Sequence, residues 1–125
     1  MRLLLDSHVV VWWAAFPEKL QENTREAIRS PDNDVLLSAA SVWELGLKMA
    51  RKKLTLPEDY AARLLTAGFE ELPVTVGHAS RAMKLPPLHG DPFDRLLIAQ
   101  ALEAGLVLVT NDRAIASYDV PRMDA

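Results

Sequence analysis

Asp6, Glu44, Asp94 and Asp112 come from separate segments of the chain, and together they could do chemistry. Asp94 is the most conspicuous. It lies in the run Asp91-Pro92-Phe93-Asp94-Arg95-Leu96-Leu97-Ile98-Ala99-Gln100-Ala101-Leu102, which reads as the start of a helix. Asp91 can cap the free backbone N–H groups, and Pro92 suits the first helical position. At about 100° per residue, Asp94 points the same way as Ile98 and Ala101, between Leu97 and Leu102. An acid meant for solvent would sit with Arg95 and Glu103 instead. A buried carboxylate without a partner is costly, so something positive must meet Asp94, and a metal ion is one candidate.

The other three acids each have a plain reading beside the functional one. Asp6 ends the apolar run Arg2–Leu5, a buried strand, and could simply cap the helix that follows. In open parallel sheets ligands sit outside the carboxyl ends of strands, which favours a functional Asp6. Asp112 follows a second apolar run, Leu106–Val109, through Thr110-Asn111. It too could be a helix cap, yet two strands ending alike would bring both acids to one sheet edge. Glu44, in Ser41-Val42-Trp43-Glu44, fits a capping box, or a solvated pair with Lys48 four residues on. The wheel alone favours the solvated pair. In the functional alternative Glu44 faces a metal while Lys48, Arg51 and Lys52 face phosphates.

Clustered carboxylates repel and raise one another's pKa, and a divalent cation removes that conflict. All-oxygen ligands, with no Cys and no paired His, suit Mg²⁺ or Mn²⁺ rather than zinc. The matching reaction is phosphodiester hydrolysis by a metal-activated water. No nucleophilic Ser–His pair, phosphate loop or dinucleotide fingerprint is present. His89, with no second His at helical spacing, reads as structural or solvated rather than as a ligand.

The elements that must position these acids alternate. Strands are expected at Arg2–Leu5, Val35–Ser38, Phe69–Val74 (an edge, given Pro73), Leu106–Val109 and around Val120. Helices are expected at His8–Ala15, Glu18–Arg29, Ala39–Lys53, Glu58–Ala67, Thr75–Leu85 and from Asp91 to Gly105. Alternation of this kind predicts an α/β fold with a parallel sheet. The 125 residues make one domain, 1–125, without repeats or linkers. The absence of cysteine excludes disulfides and thiolate sites and suits a reducing cytoplasm. The longest uncharged run, Ser7–Phe16, is too short to span a membrane, and Asp6 interrupts any signal-like start. A net charge of −3 argues against binding nucleic acid by bulk charge. Of Trp12, Trp13 and Trp43, one or two are expected in the core; the adjacent Trp12 and Trp13 cannot both point inward from a single helix, so one is expected at a subunit or partner interface.

Taken together, Leu4-Leu5-Asp6-Ser7-His8, Ser41-Val42-Trp43-Glu44, Asp91-Pro92-Phe93-Asp94-Arg95 and Thr110-Asn111-Asp112 resemble the PIN-domain ribonucleases, above all the VapC-type toxins of toxin–antitoxin pairs. The resemblance runs through the whole chain, in order. It implies a PIN-like three-layer α/β/α fold and a small Mg²⁺-dependent endoribonuclease acting on RNA. It further implies a homodimer held inactive by a cognate antitoxin whose tail blocks the acidic pocket. By position it assigns Asp6, Glu44, Asp94 and Asp112 as metal-binding and catalytic acids, with Thr110 in support and Asp91 as a cap or outer group. It also moves Glu44 from the solvated face into the site. RNA affinity would then come from the metal and from the Lys48–Lys53 patch. A catalytically silent interaction module of the same fold is the rival reading. A phosphoacceptor domain ranks below both, because Asp6 has no adjacent acid.

Overall fold

The structure is a computed structural model and describes residues 1–125. Five strands form one parallel sheet: β1 (Arg2–Leu5), β2 (Asp34–Ser38), β3 (Glu70–Leu72), β4 (Val107–Val109) and β5 (Arg122–Met123), in the order β3-β2-β1-β4-β5. Seven α-helices flank it: α1 (Ser7–Ala15), α2 (Glu22–Arg29), α3 (Ala39–Ala50), α4 (Tyr60–Thr66), α5 (Val76–Lys84), α6 (Pro92–Ala104) and α7 (Arg113–Ala116). This is a three-layer α/β/α arrangement. β1 lies at the centre: Leu3 pairs with Val35 and Val107, Leu4 with Leu36 and Leu108, and Leu5 with Val109.

A central parallel strand is buried on both faces, which is why its sequence is a continuous apolar run. Leu3 and Leu5 enter one core with Val9 and Val10 of α1, Leu45 of α3 and Leu64 of α4. Leu4 enters the other with Leu97, Ile98 and Ala101 of α6 and Ile115 of α7. None of the three leucines exposes any surface, and each contributes about 1.5–3 kcal/mol of transfer free energy. Together they clamp β1 and so fix the position of the next residue, Asp6. The chain leaves β1 through α1 toward β2 on one side and comes back through α6 to β4 on the other. Such a reversal opens a crevice at the carboxyl ends of β1 and β4.

Helix α4 and strand β3 are shorter at both ends than the expected Glu58–Ala67 and Phe69–Val74, and three other boundaries differ for a visible reason. The expected helix Glu18–Arg29 is broken: a 3₁₀ turn spans Pro17–Lys19, and α2 begins only at Glu22. Leu20 is extended there and buried in the core, its N–H donates to the Pro17 carbonyl (3.1 Å), and Arg25 donates to the carbonyls of Pro17 (2.9 Å) and Leu20 (2.8 Å) across the break. Helix α3 stops at Ala50, not Lys53. Lys52 adopts a left-handed φ of 57°, the Lys53 N–H donates to the Lys48 carbonyl (2.9 Å) and the Lys52 N–H to that of Met49 (3.0 Å). This is a Schellman stop built without glycine. The last strand lies at Arg122–Met123 because Pro121 cannot donate to the ladder, while Val120 packs into the core. No helix is long and apolar enough to cross a membrane.

Candidate active site

Asp6 sits at the end of β1, and both of its carboxylate oxygens are engaged. Its N–H still donates to the Val109 carbonyl (3.1 Å), extending the β1–β4 ladder by one residue. Oδ1 accepts the Val9 N–H (2.8 Å) as the cap of α1, and Oδ2 accepts the Thr110 hydroxyl. The residue is 4% exposed. Burial pushes its carboxyl above the ordinary range and the Asp112 charge adds to this, against the bonds from Thr110 and Val9 and the nearby His8.

Thr110 ties this acid to the next one. Its Oγ1 also accepts the Asp112 N–H (3.0 Å), and Asp112 caps α7 by accepting the Ala114 N–H at Oδ1 (2.8 Å). Asp6 and Asp112 thus both serve as caps, as the plain reading had it. They also lie together at one sheet edge, as the functional reading required.

On α6 the roles are divided. Asp91 is the cap, its Oδ1 accepting from the N–H groups of Phe93 (2.8 Å) and Asp94 (3.1 Å). Asp94, one turn in, turns its side chain into the crevice and keeps it 14% exposed. Its carboxyl is pushed up to about 6, first by burial and then by the charges of Asp91, Glu44 and Asp112, with a hydrogen bond from His89 opposing.

His89, expected to be structural or solvated, meets Asp94 instead. Its Nε2 lies 2.8 Å from Asp94 Oδ2. The loop carrying it is held from a distance. Arg95 donates to the carbonyls of Ala82 (2.7 Å), Leu85 (3.1 Å) and Pro86 (3.0 Å), and the Tyr118 hydroxyl donates to Pro86 (2.7 Å) while accepting the His89 N–H (3.0 Å). No periodicity marks His89; the only local signal is its place in the loop that leads into the Asp91 cap. His89, Asp94 and Asp112 each offer a donor atom, all within 4.8 Å of one another. Two carboxylates and an imidazole, in a pocket that penalises bare negative charge, fit a divalent cation.

Glu44 is buried rather than solvated, with 8% exposure. Oε1 accepts the Ser7 hydroxyl (2.6 Å) from α1, and Oε2 pairs with Lys48 Nζ (3.2 Å). The Lys48 pair is therefore real, but Glu44 itself is buried against α1, near enough for its charge to push the Asp94 carboxyl up. Ser41 caps nothing; it is buried inside α3, whose cap is Ser38. Lys48 and Lys53 line a hollow beside Ser7 and His8. Arg51 and Lys52 are exposed in the turn after α3 and do not line it. Trp43 is 65% exposed, whereas Trp12 and Trp13 pack partly against the core.

Comparison with known proteins identifies relatives of this chain. The family model described as PIN domain matches residues 3–121. Ribonuclease VapC22 of Mycobacterium tuberculosis is 37% identical over 123 residues, covering 96% of this chain and 94% of its own length. Among solved structures, VapBC2 from Rickettsia felis bound to a DNA fragment from their promoter superposes with a TM-score of 0.70 at 14% identity, covering 100% of this chain and 99% of that one. A toxin–antitoxin complex from Klebsiella pneumoniae gives 0.63 at 16% identity, over 97% and 95%. The two structures speak for the fold alone. With the family model and the mycobacterial relative both matched along nearly the whole length, the chain belongs to the PIN-domain family, on its VapC branch.

Proposed function

We propose that this chain is a single nuclease unit, residues 1–125, and the toxin of a toxin–antitoxin pair: a cytoplasmic Mg²⁺-dependent endoribonuclease that hydrolyses RNA phosphodiesters. Its partners are RNA, a second copy of itself and a cognate antitoxin that occludes the acidic crevice. The observation that carries this reading is the convergence of His89, Asp94 and Asp112 within 4.8 Å, beside Asp6. The ribonuclease name of the mycobacterial relative supports it.

Asp94 and Asp112 are the residues that would hold Mg²⁺ (or Mn²⁺), with Asp6 and Glu44 at the border of the same charge cluster. A bound cation supplies the Lewis acidity that activates water and offsets charge on the phosphate. His89 orients the Asp94 carboxylate. Thr110 holds Asp6 and the backbone of Asp112 in register. Ser7 and Lys48 fix the Glu44 carboxylate beside α1, and Lys53, lining the same hollow as Lys48, offers a positive charge for a phosphate.

The direct test uses Asp6→Asn and Asp94→Asn, each of which removes a charge and little packing. Both variants should keep the parent's circular dichroism and lose at least about 100-fold in RNA cleavage. Parental rates in either variant would end the assignment of that residue. Mn²⁺ or Mg²⁺ at 100 times its Kd should stabilise the parent by about 2.7 kcal/mol through linkage. A silent interaction module would show no such shift.

A further inference from the structure

We infer that the hollow adjoining the acidic cluster is a base-stacking subsite for single-stranded RNA, walled by Trp12 and His8. The inference rests on the nuclease reading above and adds to it the place where a nucleobase of the substrate is held. The hollow measures about 230 Å³ and is bordered by Asp6 and Asp112, by His8 and Trp12, and by Asn111. Acid and aromatic walls thus share one space.

The aromatic wall is well made. His8 and Trp12 stand four residues apart on α1, so they share a helix face. Asp6 locks the start of that helix. Their ring centroids lie 6.1 Å apart with the planes inclined at 47°, so the rings are not stacked flat against each other. The body of Trp12 packs against the core, which makes it a stiff surface, while His8 is exposed. Core packing accounts for the inner edge of Trp12 but not for its place on the hollow.

Two further features favour a nucleotide. Asn111 uses its Oδ1 to accept the Ala125 N–H (2.8 Å), which leaves its Nδ2 as a donor for a base or ribose oxygen. His8 also borders a second hollow, about 260 Å³, that contains Lys48 and Lys53. The first hollow therefore sets an aromatic wall beside acids, and the second, which meets it at His8, adds lysines. That set of walls suits a base, a metal-bound phosphate and a neighbouring phosphate of one strand. A uniformly basic or acidic peptide would be repelled by one of the two ends. Unpaired bases stack on His and Trp rings, whereas a duplex hides its bases.

The test combines protein and RNA changes. Trp12→Ala and His8→Ala should raise KM for a short single-stranded RNA about tenfold or more while kcat stays within about threefold, and Trp12→Phe should recover most of the loss. An abasic nucleotide beside the cleaved bond should weaken the parent equally and cost Trp12→Ala nothing more, since interacting groups are not additive. Binding of the same RNA to the uncleaving Asp94→Asn variant should quench tryptophan fluorescence, and the quench should vanish with Trp12→Ala in that background. If the parent cuts RNA and none of these changes matters, the subsite is overturned and the nuclease stands. If the parent cuts no RNA, the nuclease reading fails, and the quench with its abasic dependence still decides the subsite. Loss of affinity for a basic peptide with RNA binding unaltered assigns the wall to a protein partner and also overturns it. The abasic arm in the parent and His8→Ala keep the test sharp should Trp12→Ala misfold.

Discussion

The starts of α1 and α6 solve the same problem in opposite ways. Each places an acid in one crevice at the carboxyl edge of the sheet. In α1 the acid is itself the cap, so Asp6 receives the Val9 N–H and the Thr110 hydroxyl. In α6 the cap is Asp91, and Asp94 stands apart with no backbone donor on its carboxylate, only His89. A cap shares its charge with the helix whether or not a cation is present. Burial pushes both carboxyls up, but two hydrogen bonds of the fold oppose it at Asp6, whereas at Asp94, pushed up to about 6, only His89 does. The contrast separates a carboxylate held by the fold from one that needs a partner.

The largest test of that contrast concerns charge. The Asp94 carboxyl rises from an ordinary 3.8 to about 6 in the folded state, so the folded protein holds this proton more tightly than the unfolded chain does. Without metal, stability from this group is full below 3.8 and is lost as pH rises through about 6. Asp94→Asn has no such loss. In urea unfolding with chelator it should be more stable than the parent by about 2–3 kcal/mol at pH 8 and equal to it near pH 4. An equal gap at both pH values would refute the burial account.

His89 supplies the next test. Truncation to Ala should weaken Mn²⁺ binding about 10- to 100-fold, the usual cost of losing a group that orients a ligand. Titration calorimetry reads it without any assay of cleavage, and unchanged affinity would remove His89 from the site. The smallest effect compares Ala with Asn at the two positions. At residue 6 Ala should be less stable than Asn by about 1 kcal/mol, because only Asn keeps the cap acceptor. At residue 94 no cap is lost, so Ala should fall below Asn only by the His89 hydrogen bond, about 0.5 kcal/mol.

Much of this was legible in the sequence because it is local. The apolar run before Asp6, the Asp91-Pro92 start and the left-handed Gly105 that ends α6 follow from residues within a turn or two. The orientation of Asp94 followed from helical spacing. Three features were not local. The wheel put Glu44 with Lys48 on a polar stripe, and only the Ser7 hydroxyl, 37 positions away, shows which way that stripe faces. His89 lacked any partner at regular spacing, and its loop is held by Arg95 and Tyr118. Leu20 broke a helix because the core took it.

By itself, then, the sequence determined the alternation of strands and helices, the caps, and the acids that follow β1 and β4. These depend on backbone sterics and hydrogen bonds between near neighbours. The tertiary structure alone decided which donors share a space: Thr110 reaching Asp6 across 104 positions, and His89 brought against Asp94 beside Asp112. Convergence of this kind arises from two crossovers packing on opposite faces of one sheet, and no window of neighbouring residues contains that information.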